Sequence, residues 1–223
     1  MAKERKEGAP ACGLYLRIVD DKPFEEAFPA LREATFVINR SAYEKNLHVL
    51  EVGGDPADPE SVQRLEALVL AGKHDGLVVI VREHAALASQ AQADGVLLDN
   101  PEDIAPAREL LGPDAIIGLR CGLSRHTAEK AIDADADYVS FASGGRGDVL
   151  PPESLILWWG ASSEIPALVE GHLTNDDCAR YVRAGATFLE GTDYVWNHPK
   201  GIKQGTVDML YAIELALGSQ SVQ

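Results

Sequence analysis

Positive charge is scarce in this chain: 20 Lys and Arg stand against 35 Asp and Glu, a net charge of −15 at pH 7. That balance excludes bulk attraction to nucleic acid or anionic lipid, so a phosphate ligand must rely on local Arg, Lys or helix N-termini. Cysteine is also scarce. Cys12, Cys121 and Cys178 are odd in number and lack metal or redox spacing, which suggests reduced thiols in a cytoplasmic protein. No apolar run approaches membrane-spanning length, and Met1 to Pro10 is too polar for a signal peptide. The apolar fraction of 46% and charged fraction of 25% are ordinary, and 223 residues can bury one sizeable core.

What the chain does contain is a regular alternation. Leu77-Val78-Val79-Ile80-Val81, Gly95-Val96-Leu97-Leu98, Ala115-Ile116-Ile117-Gly118-Leu119 and Tyr138-Val139-Ser140-Phe141 are short apolar runs, each ending on polar residues. Between them lie helical patterns at Ala85 to Gln92, Ile104 to Leu111 and about Thr127 to Ala134. Runs of this length alternating with helices imply parallel strands joined by crossover helices. Polar residues where such strands end mark the face that carries chemistry.

The flanks extend the pattern. Residues 1–11 read as a flexible tail, Gly13 to Val19 as a first strand and Phe24 to Glu33 as a helix. Residues 35–46 fit either a strand or a continuation of that helix. Leu47 to Val52 is a second strand closed by Gly53-Gly54, and Pro59 to Leu70 a helix capped by Asp58. Pro152 to Ser162, Asn175 to Ala184 and Thr206 to Leu217 are helices, with strands at Ile165 to Val169 and Thr187 to Leu189. Trp158-Trp159 reads as core packing, although an exposed Trp there would mark a subunit interface. Three similar turns recur before strands 4, 6 and 8: Ala93-Asp94-Gly95, Ala136-Asp137-Tyr138 and Gly185-Ala186-Thr187. Eight strand-helix units with recurring turns predict a single (β/α)8 TIM barrel over residues 12–220. Its functional face would carry Asp20, Glu51, Arg82, Asp99, Arg120, Ser143, Glu170 and Gly191.

From about Leu47 onward the chain resembles thiamine phosphate synthase and its relative, thiazole tautomerase. The phrases that carry the resemblance are Val81-Arg82-Glu83-His84, Ala93-Asp94-Gly95-Val96-Leu97 and Leu110-Leu111-Gly112-Pro113-Asp114-Ala115-Ile116-Ile117-Gly118. Ser124-x-His126-Thr127-x-Glu129, Ala136-Asp137-Tyr138-Val139 and Pro166-Ala167-Leu168-Val169-Glu170-Gly171-His172-Leu173-Thr174 complete it. The resemblance implies a cytoplasmic enzyme of thiamine biosynthesis, with a homo-oligomer as one expected state, that takes small phosphorylated thiamine precursors. It would join a pyrimidine diphosphate to a thiazole phosphate with loss of pyrophosphate, using Mg2+.

Mapped through the resemblance, Arg82 and Arg120 would neutralise the leaving group, and Glu83 with Asp103 would hold magnesium (Glu102 competing with Asp103 for that place). Ser124, Arg146, Gly171, His172, Gly191 and Thr192 would bind substrate phosphate. His126 would serve as an acid/base, as expected of the tautomerases, although one turn into a helix it is by position a surface residue. The departures are equally specific. The family's Gln-x-Arg-x-Lys cradle on the second strand is replaced by Leu50-Glu51-Val52-Gly53, and Thr-x-Thr-Lys after strand 6 by Ser143-Gly144-Gly145-Arg146. These departures predict weak or absent synthase activity. The alternatives are a tautomerase-like isomerase or a non-catalytic barrel that binds a phosphate ligand.

Overall fold

Successive residues of a strand point to opposite faces, so a closed sheet needs one apolar set outside, under the helices, and another inside. The computed structural model describes residues 12–18, 24–40, 47–143 and 149–220. The expected tail at 1–11 lies outside them, as do Asp20 and Arg146. The strands are β1 (Gly13–Ile18), β2 (Val49–Val52), β3 (Val78–Arg82), β4 (Gly95–Leu98), β5 (Ile116–Gly122), β6 (Tyr138–Phe141), β7 (Ala167–Val169) and β8 (Phe188–Glu190). Each pairs in parallel with the next, and β8 returns to β1, which closes the barrel.

The helices are α1 (Phe24–Ile38), α2 (Pro59–His74), α3 (Ala85–Gln90), α4 (Ile104–Leu111), α5 (Arg125–Asp133), α6 (Glu153–Ser162), α7 (Asn175–Arg183), α8 (Thr192–Trp196) and α9 (Ile202–Gln220). Two of them settle or exceed the sequence reading. The helical alternative holds at 35–38, where α1 continues, while residues 41–46 are not described. The short α8 lacks the length for a periodic signal. Among the described residues, no helix is long and apolar enough to cross a membrane.

The three recurring turns are a structural repeat. Ala93, Ala136 and Ala186 each donate their N–H back to a carbonyl in the last turn of the preceding helix, at Ala88, Ala131 and Tyr181. The residue before them turns left-handed: Gln92 at φ 55°, Asp135 at φ 60° and Gly185 at φ 97°. The residue after them accepts the N–H of the strand just crossed over. Asp94 accepts from Val79, Asp137 from Ile117, and Thr187 from Ala167. Each turn thus ends one helix and pins the start of a strand.

The strand pleat sorts the barrel into layers. Leu14, Leu50, Val79, Val96, Ile117, Val139 and Leu189 pack outward against the helices. Tyr15, Val49, Ile80, Leu97, Tyr138 and Leu168, from six different strands, form a separate inner cluster, with Phe188 packed against it. Gly118 completes that layer. The Tyr138 ring lies where a Gly118 Cβ would stand, with Cζ only 2.2 Å from that position. Beneath this layer an apolar cavity of about 200 Å³ opens toward the N-terminal ends of the strands, near Leu47 and Pro166. Two residues further along, the character changes from apolar to charged, or to a hydroxyl at Ser140 on β6.

Candidate active site at the barrel mouth

The next inward layer reads, in strand order, Arg17, Glu51, Arg82, Asp99, Arg120, Ser140, Glu170 and Glu190. Charge alternates around most of this ring, and the ring is closely paired. Arg17 Nη1 lies 2.8 Å from Glu170 Oε2, and its Nε 3.6 Å from Glu190 Oε1. Arg82 reaches Glu51 at 3.8 Å and Glu83 at 3.3 Å. Arg120 Nη1 stands 2.5 Å from Asp99 and 3.3 Å from Glu83, while its Nε is 3.8 Å from Glu170. Ser140 Oγ donates to Glu170, and the Tyr15 hydroxyl donates to Glu51 Oε2 at 2.7 Å.

Burial sets the electrostatics of this ring. Glu51, Glu170 and Glu190 are each at most 4% exposed by side chain, whereas the arginines reach toward solvent. Removal from water, followed by the nearby Glu170 charge, raises the Glu51 carboxyl above the ordinary range despite Arg17 and Arg82. Burial likewise raises Glu190, against the pull of Arg17. Burial also raises Asp99. Glu83 goes the other way: its burial cost is outweighed by Arg120 and Arg82 together, and its pKa is lowered. Its backbone is left-handed at φ 62°, a costly conformation for Glu at the end of β3.

Some polar atoms in the ring are buried and unspent. Among the described residues, Arg120 Nε and Nη2, Arg17 Nε and Glu51 Oε1 have no hydrogen-bond partner. Buried guanidinium donors left without partners are groups that an anion can satisfy.

The structure brings together Arg82, Glu83 and Arg120 of the residues anticipated from sequence. Asp103 does not join them. It sits in a single 3-10 turn, Pro101–Asp103, and accepts from Asn100 Nδ2 at 3.1 Å. The carboxylate beside Glu83 is Asp99, because both oxygens share Arg120 Nη1. Ser124 caps α5, accepting from the Thr127 N–H at 3.1 Å. His126 lies exposed on that helix, and His172 pairs with Asp193 at the rim.

The N–H groups of Gly171 and Thr192 both point at one acceptor, the carboxylate of Glu190, at 3.4 and 2.9 Å. Thr192 Oγ1 accepts from the Arg17 N–H at 2.8 Å. Sequence reasoning missed Arg17, Tyr15, Ser140 and Glu190, and it took Ser143 and Gly191 for face positions that belong to Ser140 and Glu190. The usable signal was a polar residue at an alternate position inside an apolar strand, as in Leu16-Arg17-Ile18.

The thiamine monophosphate synthase family matches residues 54–190, well over half of the chain. The chain belongs to that family. A thiamine-phosphate synthase from Hyphomonas neptunium is 34% identical over 72% of this chain and 82% of its own length. One from Erythrobacter litoralis is 40% identical over 60% of this chain, an alignment that spans 65% of that relative. The barrel itself superposes on a thiamine phosphate pyrophosphorylase from Pyrococcus furiosus with a TM-score of 0.72 at 22% identity, covering 92% and 97% of the two chains. It also matches an orotidine 5'-phosphate decarboxylase from Pyrococcus horikoshii, with a TM-score of 0.65 at 15% identity over 91% and 99%. At those identities the likeness is one of fold. The matched family segment contains every ring position except Arg17 and Glu51.

Proposed function

We propose that the mouth binds thiamine precursors in the manner of a thiamine phosphate synthase, with condensation weak or absent. The observation that carries this reading is Arg120, 17% exposed by side chain, beside Arg82, with two donors unspent. In the condensation the thiazole nitrogen forms a bond to the pyrimidine methylene carbon. The bond from that carbon to the diphosphate oxygen breaks, and its electron pair leaves with pyrophosphate. Arg120 and Arg82 are placed to take the growing negative charge, which preorganised cations stabilise far better than water.

Glu83 and Asp99 would hold magnesium. Magnesium uses one or two carboxylates and lets substrate phosphates complete its shell, and these two carboxylates meet on one guanidinium nitrogen. Bound there, the ion would neutralise part of the charge on the leaving diphosphate. Against efficient turnover stand Glu51, Glu170 and Glu190, which already engage the ring's cations. The site is therefore a cation cluster largely neutralised by its own chain.

The test is single-turnover condensation of the two thiamine halves, with and without magnesium, by wild type, Arg82→Ala and Glu83→Gln. Wild-type turnover well below the roughly 1 s⁻¹ ordinary for enzymes is expected, lower still in both variants. Turnover at or above that value would overturn the reading of weak activity. Loss in the two variants would then place the working site at the end of β3.

One observation favours a second reading, isomerisation by proton transfer. Glu51 is a buried carboxyl with a raised pKa, hydrogen-bonded to Tyr15, a pairing suited to a general acid. Solvent-deuterium incorporation into a thiazole phosphate, lost in Glu51→Gln, would separate it from condensation.

A further inference from the structure

The mouth is asymmetric toward anions. On the β3–β5 side, Arg120 keeps two unspent donors. On the β7–β8–β1 side, two backbone N–H groups converge on the carboxylate of Glu190, which is 1% exposed, while Arg17 Nη1 donates to Glu170. Its Oε1 accepts from the Thr192 N–H and its Oε2 from the Gly171 N–H, and Arg17 Nε, 3.6 Å from Oε1, adds charge without a hydrogen bond. Backbone N–H groups from the loops after β7 and β8 are what eight-stranded barrels use to hold a phosphate. Here an anion of the chain's own fills that position.

We infer that Glu190 determines substrate specificity by closing this cup to phosphate. The substrate half seated against β7, β8 and β1 then enters without a phosphate, as an uncharged alcohol. This rests on reading the mouth as a thiamine-precursor site. An incoming phosphate would meet a carboxylate that already takes both backbone N–H groups, and like charges so placed are strongly disfavoured. Swinging Glu190 aside does not help, because it would strand a buried carboxylate without its two N–H partners. The ligand's diphosphate half is unaffected, because Arg82 and Arg120 lie across the barrel. One anionic and one neutral substrate half follow from the charge pattern of the ring.

The experiment measures binding of a thiazole phosphate, the corresponding thiazole alcohol and inorganic phosphate, by calorimetry, to wild type, Glu190→Ser and Glu190→Gln. Arg17 has Glu170 as a second partner, at 2.8 Å, so neither substitution removes its only carboxylate. Wild type should prefer the alcohol to the phosphate by about tenfold or more, and Glu190→Ser should reverse the order. Glu190→Gln, of the same shape without the charge, should lose the preference. Inorganic phosphate should bind Glu190→Ser and not wild type. Equal or tighter binding of the thiazole phosphate by wild type overturns the inference, as does inorganic phosphate that binds all three alike or none. If neither thiazole binds while inorganic phosphate binds only the variants, the closed cup stands and the thiamine reading falls.

Discussion

Arg17 on β1 and Glu170 after β7 meet at 2.8 Å across a strand that belongs to neither, since β8 lies between them. The pair ties two ends of the sheet together at the mouth, and Arg17 also serves Glu190. Removing one partner of a buried pair leaves the other charge uncompensated, which costs far more than the pair contributes. Arg17→Ala strands two buried carboxylates and should destabilise by roughly 3 kcal/mol in urea denaturation at pH 7. A loss below about 1 kcal/mol, the scale of an exposed pair, would show that water reaches this site freely.

The pH dependence of stability should carry the sign of the buried carboxyls. Glu51 and Glu190 have folded pKa values above the ordinary value of 4.5. Their native forms hold protons more tightly than the unfolded chain, so their contribution is full below about 4.5 and is lost as pH rises through the folded values. Glu83 is lowered instead. Its contribution is present above the unfolded value and disappears as pH falls through the folded one. Denaturation across mildly acid to neutral pH should therefore show stability declining with rising pH. Glu51→Gln, which still accepts from Tyr15, should flatten that decline. A variant curve parallel to wild type would assign the slope to other groups.

The recurring turns make a sharper prediction about backbone strain. Gln92 and Asp135 take up left-handed positions that the third copy gives to Gly185. Both are exposed, and a side chain in that conformation costs energy that glycine avoids. Gln92→Gly and Asp135→Gly should each stabilise by about 0.5–1 kcal/mol, measured by thermal or urea melts. Asp94→Ala and Asp137→Ala should act oppositely, by about 1 kcal/mol or more, because each frees a strand N–H at 2.8 Å. Destabilisation by both glycine variants would argue that the side chains have packing roles.

Gly118 and Tyr138 form the tightest small-to-large fit in the barrel interior. A methyl at Gly118 would overlap the Tyr138 ring, whose Cζ stands 2.2 Å from the added carbon. Gly118→Ala should cost about 1–3 kcal/mol, the usual range for overpacking. In a double-mutant cycle, Tyr138→Ala should absorb most of that loss, since it removes the obstructing ring. Additive losses would mean that the strain lies in the β5 backbone.

The sequence alone determined the barrel, because its evidence is local. Apolar runs such as Leu77 to Val81, helical spacing from Ile104 to Leu111 and the turns at Ala93, Ala136 and Ala186 each need only neighbouring residues to be read. Arg82, Glu83 and Arg120 were legible for the same reason: they stand where an apolar run stops. Tertiary structure decided the rest. Whether Ser140 or Ser143, Glu190 or Gly191, faces the axis depends on the phase of the pleat, which a polar residue inside an apolar run signals and the closed sheet settles. Asp99 replaced Asp103 beside Glu83 because a one-turn 3-10 segment after β4 carries Asp103 to Asn100. Glu190 has the same origin as a filled anion cup. It sits between the N–H groups of Gly171 and Thr192 and the guanidinium of Arg17, and only closure of β8 onto β1 brings those donors together.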